Sequence, residues 1–133
     1  MSPNAAEAML QTDAAARSLG ITLAEFGDGR AVASMRVTAA MVNGHDILHG
    51  GYAFLLADTA FAYACNSRGP VAVAAGAEIS FVAAGKLGDL LVATAEERTR
   101  YGRNGIYDVT VRRDDSVIAE FRGRSRTIGE VEK

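Results

Sequence analysis

Between Ile47 and Ser67 the chain is almost wholly apolar, and one carboxylate, Asp58, stands in the middle of it. Placing an unpaired carboxylate among apolar groups is costly. A chain that keeps one there has to pair it, or else use it. The stretch reads as a helix from about Gly50 to Asn66. It approaches the length of a membrane span, about 20 residues. Asp58 at its centre and the polar Asn66-Ser67 end favour a helix buried in a soluble protein instead.

The flanking segments say what that helix packs against. Asn4–Leu19 is rich in Ala, Glu, Leu, Met and Gln and stops at Gly20, the pattern of a short amphipathic helix with a glycine cap. Ile21–Phe26 and Arg30–Thr38 read as strands of a hairpin around Gly27-Asp28-Gly29. Ala39–Leu48 is a loop. After Arg68-Gly69-Pro70 come Val71–Ala84, Leu90–Tyr101, Ile106–Arg113 and Val117–Ile128, each separated by a Gly- or Asp-bearing turn. Tyr107, Val109 and Val111 fall on one face, against Asp108, Thr110 and Arg112. Val117, Ala119 and Phe121 share a face against Glu120, Arg122, Arg124 and Arg126. Such alternation marks antiparallel strands with one buried side. The expected class is α+β: one long apolar helix on the concave face of an antiparallel sheet, plus a short N-terminal helix, in a single domain over residues 1–133. The tail Gly129–Lys133 is charged and expected to be loose.

Bulk properties narrow the function. A net charge of −2 over 133 residues argues against a general nucleic-acid binder. One cysteine, Cys65, excludes an intrachain disulfide, and its apolar setting suggests a buried thiol rather than a nucleophile. One Cys and two His without metal-ligand spacing make no zinc site. Met1–Gly20 carries Glu7, Asp13 and Arg17 where a secretion signal needs an apolar run, which points to the cytoplasm. No metal, nucleic acid or membrane partner is expected.

The chemistry concentrates on the apolar helix. His49-Gly50-Gly51 occupies its start, where backbone N–H groups are free and the dipole is positive. Without Cβ atoms, Gly50 and Gly51 let a carbonyl oxygen approach the backbone closely. One element therefore offers oxyanion donors and, in Asp58, a base or nucleophile, a combination suited to hydrolysing a polarised carbonyl. Gly51 and Asp58 fall on nearly the same face, about 10 Å apart along the axis. A base acting through one water cannot span that. Two helices related by a two-fold axis can, each helix start meeting Asp58 of the other, so the site is expected in trans at a dimer interface. The competing readings are structural: a plain helix entry for the glycines, and for Asp58 a pairing with Asn, Thr59 or Arg. His49 either serves the site or caps the helix. Asn43 either binds water or carboxylate, or is a turn residue. Tyr52, Phe54 and Phe61 either line an acyl pocket or are core. Arg100, Arg103, Lys86 and the row Arg122, Arg124, Arg126 suit the phosphates of an anionic ligand, or form a solvated face.

Asn43-Gly44-His45, then Leu48-His49-Gly50-Gly51, then Leu56-Ala57-Asp58-Thr59-Ala60-Phe61-Ala62, resemble the hotdog-fold acyl-CoA thioesterases. Within them they resemble the branch acting on phenylacetyl-CoA in aerobic phenylacetate degradation. Phe61–Ser67, Tyr107-Asp108-Val109 and Phe121-Arg122-Gly123 extend the resemblance over nearly the whole chain. It implies a long helix wrapped by a curved sheet, and dimers with two trans sites, usually paired into homotetramers. It assigns the Gly50–Gly51 backbone to the thioester carbonyl, the partner's Asp58 to the carbonyl carbon, and Asn43 and His49 to the polar lining. Coenzyme A is then part of the substrate, and no cofactor or metal is required. Some relatives add a hydroxyl residue after the helix; Ala74-Ala75-Gly76 offers none.

Two rivals remain on the same fold. A dehydratase or hydratase of enoyl thioesters needs an acid/base pair over Cα and Cβ, which His49 and Asp58, nine residues apart, suit less well. A non-catalytic acyl-CoA sensor would normally carry an output domain, for which the sequence leaves little room. Phenylacetyl, ring-hydroxylated phenylacetyl, other aryl-acyl and medium-chain acyl groups all stay open.

Overall fold

The computed structural model describes residues 5–129. Asn4, where the first helix was expected to begin, and the tail residues 130–133 lie outside the described residues.

The long helix, α3 (Gly50–Asn66), forms where the sequence places it. Ala53, Leu56, Ala57, Ala60, Phe61, Tyr63 and Ala64 recur at helical spacing and are all buried. They pack on a six-stranded antiparallel sheet of β1 (Thr22–Gly27), β2 (Arg30–Arg36), β3 (Ala72–Phe81), β4 (Leu90–Tyr101), β5 (Asn104–Arg113) and β6 (Ser116–Thr127), ordered β1-β2-β4-β5-β6-β3. The inner face beneath the helix is built of small residues. Ala31 pairs with Ala95, and Ala33 with Ala93, and all four are fully buried. Alanine against alanine lets the helix lie close to β2 and β4. Across β5 and β6, Tyr107, Val109, Val111, Ala119 and Phe121 supply the bulk instead. Phe61 reaches the sheet because Gly123 is bare: a Cβ there would stand 2.8 Å from its ring.

The N-terminal segment is two helices rather than one, α1 (Ala5–Thr12) and α2 (Ala14–Ser18). Asp13 breaks it. Its Oδ1 accepts from the Ala16 N–H at 3.1 Å, capping α2, and its Oδ2 accepts from the Tyr63 hydroxyl of α3 at 3.0 Å. Thr12 and Asp13 are weak helix formers in the segment, and the Asp13 side chain competes for the backbone there. Gly20 ends α2 at φ +70°, as its cap position requires.

Four register shifts curve the sheet: between Leu23 and Glu25, Ala74 and Gly76, Glu97 and Thr99, and opposite Val111/Arg112. The last corrects the alternation expected for β6. Arg112 pairs with Val117 but Val111 with Ala119, so Ile118 is the extra residue. Ile118 takes the inner face, 2% exposed, and Val117 is only half-buried. A one-residue insertion moves everything before it to the other side.

A buried polar clamp closes the helix onto β3. Asn66 Nδ2 donates to Ala62 O (2.9 Å) and Ala72 O (3.0 Å), and its Oδ1 accepts from the Ala72 N–H at 2.9 Å. Replacing Asn66 by Ala strands the Ala72 N–H in a buried setting. The expected loss of stability is about 2–4 kcal/mol, read as a lower urea midpoint with an unchanged denaturant slope.

Candidate active site

The start of α3 is shaped by the loop before it. A 3₁₀ turn over Ala39–Met41 leads to Asn43, whose Oδ1 accepts from the His45 N–H at 2.8 Å and, more weakly, from Ile47 at 3.4 Å. Asn43 N–H in turn donates to Ile47 O at 2.8 Å. Asn43 is therefore a turn residue, and it also lines the cleft beside Gly50. The loop is tied down by His49 N–H to Met41 O and Leu48 N–H to Gly85 O, both 2.8 Å. His49 caps the helix: its Nδ1 accepts from the Gly51 N–H at 2.9 Å. Gly50 lies under the Phe81 ring, 2.8 Å from where its Cβ would be. Its N–H, at the first helical position, is one of the helix's orphan donors. The cleft over this helix start holds about 440 Å³ and is walled by Ile47, Leu48, Ala53 and Phe81–Gly85.

Asp58 opens into a different cleft. It is half-buried, and its carboxylate makes no hydrogen bond or ion pair to any described residue. The pairing with Thr59 is not made, because Thr59 Oγ1 donates to Leu55 O at 2.7 Å. Burial pushes the Asp58 carboxyl above its usual range. Its cleft holds about 450 Å³ and is mostly apolar, walled by Phe61, Ala62 and Cys65 of α3, residues 71–74, and Ala5, Ala8, Met9 and Thr12 of α1. Nothing in the sequence connects α1 to Asp58; packing alone does. Cys65 is buried and its thiol is pushed up to about 12 by desolvation, so it stays protonated.

The structure separates the remaining candidates. Phe61 is a core residue, 1% exposed and packed on Tyr107 and Phe121, that also forms a wall of the Asp58 cleft. Phe54 stacks edge-on to Phe121 with centroids 5.2 Å apart, and Tyr52 stands edge-on to His49 at 6.2 Å. Arg122 lies on the sheet face away from α3. Asp108 accepts its Nε (2.6 Å) and Nη2 (2.8 Å), and also Arg98 Nε at 2.7 Å. Arg124 pairs with Glu78 on the same side. Arg100 and Arg103 stand together near the far end of α3, beside Arg68. Sequence reading passed over Arg68, because its place in this group depends on strand pairings far along the chain. Among the described residues, no group of three or more His, Cys, Asp or Glu could hold a metal ion. Nor is any helix long and apolar enough to cross a membrane.

A long central helix wrapped by a curved antiparallel sheet defines a hotdog fold. Residues 45–120 match the model of the thioesterase superfamily. The chain is 49% identical over 125 residues to the acyl-coenzyme A thioesterase PaaI of Escherichia coli, covering 93% of this chain and 89% of that one. The structure of the E. coli PaaI protein superposes with a TM-score of 0.91 at 47% identity, over 95% of this chain and 92% of that one. A mutant PaaI from Thermus thermophilus superposes at 0.82 with 32% identity, over 85% and 97%. A Streptococcus mutans protein bound to acetyl-CoA superposes at 0.79 with 25% identity, over 84% and 91%. The chain belongs to the thioesterase superfamily and is a thioester hydrolase.

The Asp58 environment makes a stability prediction. Because its pKa in the folded state is raised, the ionised form is disfavoured there, and Asp58 destabilises the fold increasingly as the pH rises from the ordinary carboxylate value to the raised one, and fully above it. Below the ordinary carboxylate range the group is protonated in both states and contributes nothing. Asp58→Asn should therefore melt higher than wild type at neutral pH, with the difference shrinking as the pH falls below the raised value and vanishing below the ordinary carboxylate range. Calorimetric melts across acid to neutral pH check this.

Proposed function

We propose that this chain hydrolyses aryl-acyl-CoA thioesters, phenylacetyl-CoA or its ring-hydroxylated forms, to the free acid and CoA, in a site shared between two chains. The observation that carries the proposal is an unpaired, half-buried Asp58 in an apolar cleft, with backbone donors about 10 Å away on the same helix. Neither cleft alone holds both groups, and both border β3, at its two ends. β3 is an edge strand, with Val73 43% and Phe81 59% exposed and Val82 58% exposed just beyond it. An apolar open edge invites pairing with another chain. Antiparallel pairing of two β3 strands about their midpoints, between Gly76 and Ala77, sets the Asp58 end of one against the helix-start end of the other. That supports a homodimer with two trans sites; the implied pairing of dimers into a homotetramer is part of the same proposal. The E. coli relative's name supports the acyl-CoA substrate, and its place in phenylacetate degradation supports an aryl-acyl group. The apolar lining of the Asp58 cleft suits such a group.

In this reading the thioester carbonyl oxygen accepts from the N–H groups at the helix start. Gly51 N–H is held by His49 Nδ1, so the oxygen either displaces that ring or uses the Gly50 donor. Asp58 of the partner acts on the carbonyl carbon, by taking a proton from water or by direct attack. By the first route the C–S bond of the adduct breaks and CoA leaves as the thiol, carrying the proton taken from water. By the second, CoA leaves as the thiolate and an Asp58 acyl anhydride remains, which water then hydrolyses to the free acid and the Asp58 carboxylate, its proton neutralising the thiolate. Such donors contribute about 3–4 kcal/mol and a positioned base roughly 10²–10⁴-fold. No cofactor or metal enters this scheme; CoA arrives as part of the substrate. A cytoplasmic location fits that substrate.

Asp58→Asn should retain the fold and lose about 10²–10⁴-fold in thiol release from phenylacetyl-CoA. Turnover close to wild type would remove Asp58 from the mechanism. Activity of the wild type should fall on the acid side, as Asp58 protonates. Val73→Lys on the open edge should give folded monomers with Asp58 intact and little turnover. A monomer of full activity, shown by sedimentation and thiol release together, would refute the shared site.

A further inference from the structure

We propose that α1 is the wall that selects the acyl group, with Ala8 and Met9 setting the size and shape of what reaches Asp58; this rests on the thioesterase reading above. Ala5, Ala8, Met9 and Thr12 fall at i, i+3, i+4 and i+7, one face of α1. Asp58, Phe61, Ala62 and Cys65 fall at the same spacing on α3. Both faces border the one cleft of about 450 Å³. The helix is held in place by other groups. Ala6, fully buried, packs it on the core. At its start, Ala5 N–H donates to Gly69 O at 2.9 Å. Just past its end, Asp13 Oδ2 accepts from the hydroxyl of Tyr63, a residue 1% exposed, at 3.0 Å. The wall is thus fixed at both ends, which leaves Ala8, Met9 and Thr12 to border the cleft.

A helix packed as a plain cover would bury the face it turns to α3. Here Ala8 and Thr12, on that face, stay exposed, and Met9 is half-buried. The chain that supplies Asp58 to a shared site therefore supplies α1 beside it. An acyl group whose carbonyl carbon meets Asp58 lies within reach of that helix. The substrate's own chemistry agrees. The pantetheine arm carries two amides, whereas the acyl group is the apolar part, and the cleft is mostly apolar. The residue types point to an aryl group. Phe61 stands on the α3 side and Met9 on the α1 side. A ring between them meets an aromatic wall on one side and a flexible, polarisable thioether on the other. Ala8 projects a single methyl group, so any larger side chain there takes space from the substrate.

The test is a substrate profile of variants in the full chain. In Ala8→Leu, kcat/KM for phenylacetyl-CoA should fall about tenfold or more, through KM, while that for butanoyl-CoA stays within about twofold of wild type. Leucine is a good helix former, so α1 should persist. Gln11→Leu adds the same bulk to α1 at a residue that does not border the cleft, and should change neither value. Met9→Ala should raise the ratio of kcat/KM for 4-phenylbutanoyl-CoA to that for phenylacetyl-CoA several-fold, and Met9→Leu, close to methionine in volume, should hold it near wild type. Unchanged ratios in both Ala8→Leu and Met9→Ala, or the same shift in Gln11→Leu, overturn the selecting wall. A second readout is titration of the phenacyl thioether of CoA, which cannot be hydrolysed, into protein with isotope-labelled methionine methyl groups. The Met9 resonance should move while that of Met35, buried on β2, stays; a Met9 resonance that does not move overturns the proposal. Should the wild type release thiol from no ester, the thioesterase reading fails, and the Met9 resonance then still decides whether α1 borders the bound acyl group.

Discussion

Close contact between one helix and the small-residue face of a sheet underlies everything else in this structure. Ala31, Ala33, Ala93 and Ala95 form a shallow bed, and the alanines of α3 lie against it. Dispersion falls off steeply with separation, so such close contact contributes where bulk is lacking. The sheet curves through its bulges to keep that contact along the helix. With the helix so held, the Asn66 clamp positions β3, and Phe61 fills the space over Gly123. The two ends of the helix and the two ends of β3 thereby come to rest beside one another as two clefts.

The same packing sets the electrostatics of Asp58. Its neighbours on α3, in residues 71–74 and on α1 are mostly apolar and none of them hydrogen-bonds it, so desolvation raises its proton affinity. The sheet's outer face works in the opposite sense: Asp108, between Arg98 and Arg122, is held below the usual carboxylate range, its hydrogen bond from Arg122 being the largest cause. Glu97, at the far end of α3, is pushed up by burial but brought below the usual range by Arg68 and Tyr107. Asp108 and Glu97 are saturated by their partners, whereas Asp58 stands unsaturated in its cleft.

Much of this was legible in the chain. The helix from Gly50 to Asn66 and the strand from Leu90 to Tyr101 lie where the sequence placed them, because their signals are local. Three features escaped it. Asp13 splits the first helix by a side-chain bond to a residue 50 positions away as well as by capping. Ile118 displaces Val117 from the inner face, since period-two reading assumes an unbroken register. Arg122, read with Arg100 and Arg103, faces away from them, because strand parity rather than charge decides the side.

By itself the sequence determined the central element: a glycine-led apolar helix carrying one carboxylate, whose cost could be judged from its immediate neighbours. It also determined the spacing argument, since the rise of a helix is independent of context. Only the tertiary structure decided what surrounds Asp58, which N–H His49 occupies, and which carboxylate each arginine meets. Those depend on contacts between residues distant in the chain, such as α1 with Asp58 or Arg68 with Glu97. No local pattern records them, because they arise from where the sheet's curvature brings its edges around the helix.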